Sequence, residues 1–221
     1  MPDIKGSFSA ISNKFKTRSK NLGWLEILAI LLWVLWVGRA YLNFDPTLLP
    51  FGMEYGLSVR SHYVWESLVE CGTCVFWNGT VRGGVPSFAE LQGGLLNPVV
   101  ILSTLIAGVV NGSKLILLSS LFIAGLAQWW MAKRLEVGWI ARLWSAGMAV
   151  VGGHLAGRME LGLVGVILST AFCSLAIAGV VDLGLTGKRR SAIMLGIILA
   201  LAIVSGQGYM QIAFLVSIVP A

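Results

Sequence analysis

The chain has 221 residues, of which 57% are hydrophobic and 12% charged, with a mean hydropathy of +0.83. A soluble domain carries about 25% charged residues, so this composition excludes an ordinary soluble fold and a disordered chain and leaves a polytopic helical membrane protein. The net charge of +6 does not imply a nucleic-acid partner, because the basic residues are scattered between apolar runs and form no single face.

Residues 1–22 are basic, with Lys5, Lys14, Lys16, Arg18 and Lys20 against the single acid Asp3. Ile4, Phe8, Ile11 and Phe15 recur at helical spacing, so the segment reads as a cytoplasmic amphipathic helix on an anionic leaflet or as a solvated basic tail. Residues 23–42 form a first transmembrane helix. They lack a small-residue cleavage site, which makes them an uncleaved anchor.

Residues 43–114 form a long outer loop that includes an amphipathic helix over 57–70 and a shallow or re-entrant apolar run over 98–110. Residues 115–221 hold further apolar runs at 115–131, 139–153, 161–181 and 191–205, and the start of another at 212–221. Charge decides the topology. If 98–110 does not cross, eleven basic residues lie inside (Lys5, Lys14, Lys16, Arg18, Lys20, Lys133, Arg134, Arg142, Lys188, Arg189 and Arg190). Five then lie outside (Arg39, Arg60, Arg82, Lys114 and Arg158), as the positive-inside rule requires. That run is also shorter than the ~17 residues a span needs. The expected architecture is an all-α transmembrane bundle of about five full crossings plus the start of a sixth, N-terminus cytoplasmic. The acids Asp45, Glu54, Glu66, Glu70, Glu90 and Glu160 gather on the outer side.

In the outer loop, Asp45-Pro46 follows the first helix, and Trp77-Asn78 precedes Gly83-Gly84-Val85-Pro86. Asn97-Pro98 reopens the apolar region, His154 ends a crossing, and Gly206-Gln207-Gly208-Tyr209-Met210-Gln211 follows later. In order and spacing these features resemble the N-terminal part of YfhO-like bacterial membrane proteins of the glycosyltransferase C superfamily. The resemblance spans about 24–221. It implies a multi-pass protein of the bacterial inner membrane that transfers a sugar from a polyprenyl-phosphate donor at the outer face. It also implies a catalytic base or metal ligand at Asp45, a second acid at Glu160, and a divalent metal as cofactor if the chain is an enzyme. Arg158 is then a cation for the phosphate leaving group and Trp77 a platform for a sugar ring, with Gly83, Gly84 and Pro86 lining the substrate site.

Each residue also has a plainer reading. Asp45 caps the turn leaving the first helix, Glu160 is a charge at a helix N-terminus, and Trp77 is an interfacial anchor. Gly83, Gly84 and Pro86 are turn residues. Cys71 and Cys74 lack the following histidine of a haem site, since Val75 stands there, and read as a local disulfide or two free thiols. Cys173 is packing. His62 and His154 read as polar surface, having no metal-ligand spacing. The sequons at Asn78 and Asn111 are too common a pattern to assign.

Members of that family are much longer, so the chain reads as the front portion of a longer design. A second reading is a non-catalytic accessory subunit of a larger membrane complex, respiratory or photosynthetic, bound to lipid and to other membrane subunits. A small transporter ranks third, since no crossing carries a central charge.

Overall fold

The protein is described from a computed structural model covering residues 23–66, 68, 72, 76–79, 83–86 and 93–206. The expected helix at 1–22, Cys71, Cys74 and the element after Gly206 lie outside these residues. The described chain is helical apart from one two-residue antiparallel pairing, Trp77–Asn78 (β1) with Val85–Pro86 (β2), in the register Trp77 to Pro86.

The helices are Gly23–Val37 (α1), Tyr55–Val59 (α2), Tyr63–Glu66 (α3), Pro98–Arg134 (α4), Trp139–Val150 (α5), Gly153–Leu161 (α6), Val164–Thr186 (α7) and Arg189–Ile203 (α8). Helix α4 is broken at Gly108, whose φ of 72° and ψ of 178° are non-helical. Residues 98–107 therefore form a separate short helix that folds back on 109–134. The reversal is tight: a Cβ at Gly112 would lie 2.8 Å from the Ser103 carbonyl oxygen. Glycine at 108 supplies the positive φ and glycine at 112 the close approach.

Side-chain contacts set the direction of each long helix. At one end, Glu26 of α1 meets Trp129 of α4 and Arg142 of α5, and Arg134 of α4 pairs with Asp182 near the end of α7. At the other, Gly38 abuts Leu118, Tyr55 meets Ser113, and Asn97 meets Ser205 just past α8. Thus α1, α5 and α8 run toward the end that carries residues 43–66 and 93–97, the loop end. Residues 109–134 and α7 run away from it, toward an end rich in Lys133, Arg134, Lys188, Arg189 and Arg190.

Helices α4 and α7 share the most extensive interface and carry the core, with Ile116, Leu121, Ile167 and Leu168 fully buried. Close approach relies on small residues, the usual device between membrane helices. A Cβ at Gly125 would stand 3.0 Å from Ile30 and 3.1 Å from Val150, which seats α1 and α5 together on α4.

Among the described residues, two helices, α4 and α7, are long and apolar enough to cross a membrane. At 1.5 Å per residue the 23 residues of α7 reach ~35 Å, above a hydrocarbon core of ~30 Å. The 12 residues of α5 reach only ~18 Å and the 15 of α8 only ~22 Å. The five-crossing bundle therefore rests on three helices shorter than a full span.

Three local expectations change. The helix over 57–70 is split among its described residues into α2, a 3-10 turn at Arg60–His62, and α3. Val64 is buried, but Leu57 points outward, so no single apolar stripe forms. The link 153–160 is helical (α6) because Leu155 is buried while His154 and Glu160 face out, an amphipathic pattern too short to stand out from its neighbours. His62 is not surface but fully buried, whereas His154 is exposed.

Candidate site at the loop end

Leaving α1, the chain makes a 3-10 turn at Arg39–Leu42 and then a short extended strap, 43–45. The strap has no strand to pair with, so its carbonyls take side-chain donors from α4. Lys114 Nζ donates to the carbonyls of Asn43 (2.7 Å) and Asp45 (2.8 Å) and to Asn111 Oδ1 (3.0 Å), while Asn111 Nδ2 donates to the Phe44 carbonyl at 2.8 Å. Lys114 is buried, and these three oxygens satisfy all three of its N–H groups. Asn111 is thus a structural clamp inside a helix.

The Asp45 side chain turns toward its own neighbour. Its Oδ1 accepts from the Thr47 hydroxyl at 2.7 Å and the Thr47 N–H at 2.8 Å. These two bonds, the hydroxyl first, and the Lys114 ammonium hold the carboxyl below the usual aspartate range. Asp45 is therefore ionised at neutral pH and caps a local turn.

The other expected residues occupy two places. Arg158 and Glu160 lie near the C-terminal end of α6, not at a helix N-terminus. The macrodipole there favours Arg158 and disfavours Glu160, so helix stability does not account for the acid. This end touches the loop: the Glu54 N–H donates to the Leu161 carbonyl at 3.0 Å, and Gly162, left-handed at φ 78°, lies against Gly52 and Tyr55.

Trp77, Gly83, Gly84 and Pro86 belong to the β1–β2 hairpin. Gly84, at φ 107°, lies under the Trp77 indole so closely that a Cβ would come within 2.4 Å of Nε1. One face of that ring is covered by its own hairpin, and the ring remains half exposed. Gly83 has a φ of 82°, which makes it a turn residue.

Several further polar residues hold this end together; of these the sequence motifs marked Asn97 but not Trp65 or the burial of His62. Asn97 caps α4 through Oδ1 to the Val99 N–H (2.9 Å), and its Nδ2 donates to Ser205 Oγ (3.0 Å) and the Leu201 carbonyl (3.3 Å). Trp65 Nε1 donates to the Leu95 carbonyl at 2.9 Å. His62 Nε2 donates to the Gly93 carbonyl at 2.7 Å, which leaves Nδ1 an unprotonated acceptor without a partner among the described residues. Burial pushes the His62 pKa down to about 4, partly opposed by the Gly93 bond. The ring is neutral at physiological pH.

At the basic end, Glu26 Oε2 accepts from Trp129 Nε1 (2.5 Å) and Arg142 Nε (3.0 Å), and Oε1 accepts from Arg142 Nη2 (2.5 Å). This is a buried bidentate pair. A lone acid in the apolar run 23–37 and a lone arginine in 139–150 were the available signals, but nothing in one dimension links positions 116 residues apart.

Among the described residues no group of three or more His, Cys, Asp or Glu side chains forms a ligand set, and one Asp45 oxygen is committed to Thr47. The described residues around Asp45 do not assemble a metal-ligand set. The chain matches no protein-family model, no curated protein and no solved structure.

Proposed function

We propose that the chain is a multi-pass module of the bacterial inner membrane, N-terminus cytoplasmic, that carries a GT-C-like polyprenyl-phosphate sugar site at its outer rim. The observation that carries the reading is the strap: an ionised Asp45 pinned by Lys114 and Asn111. A few residues further along the chain, the loop meets the end of α6 that bears Arg158 and Glu160. In such a reaction an acceptor hydroxyl oxygen bonds to the anomeric carbon, and the carbon–phosphate oxygen bond breaks with its electrons leaving on the polyprenyl phosphate. The hydroxyl proton goes to a carboxylate. Asp45 is the base, Arg158 the countercharge for the released phosphate, and Glu160 a hydrogen-bond acceptor for the sugar. Trp77 offers one open indole face for stacking, with Gly83, Gly84 and Pro86 shaping its support. Asp45→Asn in membranes supplied with a polyprenyl-phosphate hexose should lower transfer at least 100-fold, while Thr47→Ser keeps it. Equal turnover in Asp45→Asn removes this residue from the chemistry.

A second reading, an accessory subunit, is supported by the apolar face of α8, where Ile193, Met194, Ile197 and Ile203 are exposed. Stoichiometric partners retained through mild-detergent purification support it. A chain recovered alone and monodisperse counts against it.

A further inference from the structure

Residues 46–53 carry no charged side chain. Leu48, Leu49, Phe51 and Met53 in this stretch are 50, 63, 81 and 91% exposed. Phe44 before it and Leu57 after it are exposed too. A flexible loop of this composition would fold its side chains inward, but here the backbone is held at both ends. Before it, Lys114 and Asn111 bind the carbonyls of 43–45. After it, Gly52 lies against Gly162, Glu54 donates to Leu161, and the buried Tyr55 hydroxyl meets Ser113 at 2.5 Å. Pro46 and Pro50 stiffen the span between.

We propose that residues 46–53 form a rigid apolar spur seated in the outer leaflet of the bilayer, with lipid as its partner. The proposal rests on the membrane reading of α1. Three features select lipid over protein. The spur offers no charge for a partner to pair with. It continues the outward side of α1, where Leu32 and Trp36 are exposed, and of the following 3-10 turn, where Leu42 is exposed. Its borders are polar: Arg39 lies 5.7 Å from the Trp36 ring on one side, and Asp45 and Glu54 bracket the stretch. Apolar and aromatic tips with a charged border match the acyl–headgroup boundary. A backbone outside any helix keeps the spur in that boundary and out of the hydrocarbon centre.

The test is photocrosslinking of the full chain in phosphatidylethanolamine–phosphatidylglycerol nanodiscs. Phe51 or Met53 is replaced singly by p-benzoylphenylalanine, with Leu32 of α1 and the exposed hairpin residue Gly79 replaced likewise. The expected result is a phospholipid-mass adduct from Phe51, Met53 and Leu32, with at least a tenfold lower yield from Gly79. If Leu32 captures lipid while Phe51 and Met53 capture none, or join a second copy of the chain, the spur is overturned and the membrane reading of α1 survives. If Leu32 captures none either, both fall.

Discussion

Among the described residues, burial moves His62 far from its ordinary protonation behaviour. The folded protein holds it neutral with a pKa of about 4, against 6.5 in the unfolded chain. The folded pKa is depressed, so its contribution to stability is complete above pH 6.5 and is lost as pH falls from 6.5 toward 4. Each pH unit in that window costs about 1.4 kcal/mol, and the whole window about 3 kcal/mol. His62→Gln, which keeps a donor for Gly93, should flatten this part of the curve of melting temperature against pH in detergent. An unchanged slope would show that other groups set it. Asp45 titrates in the same sense but lower, its contribution being present above the ordinary aspartate range and lost below it. Thr47→Val removes the largest stabilising bond and should shift carbodiimide labelling of Asp45, which needs the protonated acid, to higher pH. A labelling profile that stays in place refutes the cap.

Helices α1 and α5 are too short to be held by length alone, and they meet through a buried charge pair. Removing one partner leaves the other uncompensated, at a cost of about 3–5 kcal/mol, whereas apolar replacement of both is often close to neutral. Glu26→Leu and Arg142→Met singly should each lower the melting temperature sharply, and the double variant should recover most of the loss. Additive losses would mean that the two side chains act independently. The break in α4 is a second element-scale device. At Gly108 an alanine would adopt a φ of 72°, a strain of about 1–3 kcal/mol, and its Cβ would lie 3.2 Å from the Glu66 carboxylate. Gly108→Ala should therefore destabilise the junction between α3 and α4, seen as earlier proteolysis within 60–70. Equal protease resistance would show that the turn tolerates a side chain.

At the scale of the whole molecule, composition and run lengths made the helical class and two membrane-length helices legible. Shallow features were not. The apolar run over 98–110 reads as shallow or re-entrant, but its turning point is hidden because only Gly108, one small residue among many, changes φ. The 153–160 helix was hidden by its own polarity. Within the candidate site the residue types were legible, but the state of Asp45 was not, because its cap depends on how Thr47 folds back and its support comes from Lys114, 69 positions away. Lys114 and Arg142 also alter the topology argument, since both are buried and bonded and neither is a solvated charge at a membrane surface. The sidedness then rests on the basic residues of 1–22 and on Lys133, Arg134, Lys188, Arg189 and Arg190, which are exposed at the end opposite the loop. A Lys188→Cys chain in intact cells should resist a membrane-impermeant maleimide until the membrane is opened, while Gly79→Cys should react at once; both are read on a background in which Cys71, Cys74 and Cys173 are serine. Reaction of both from outside means that α7 does not cross, and the reverse pattern inverts the orientation, leaving Asp45 facing the cytoplasm.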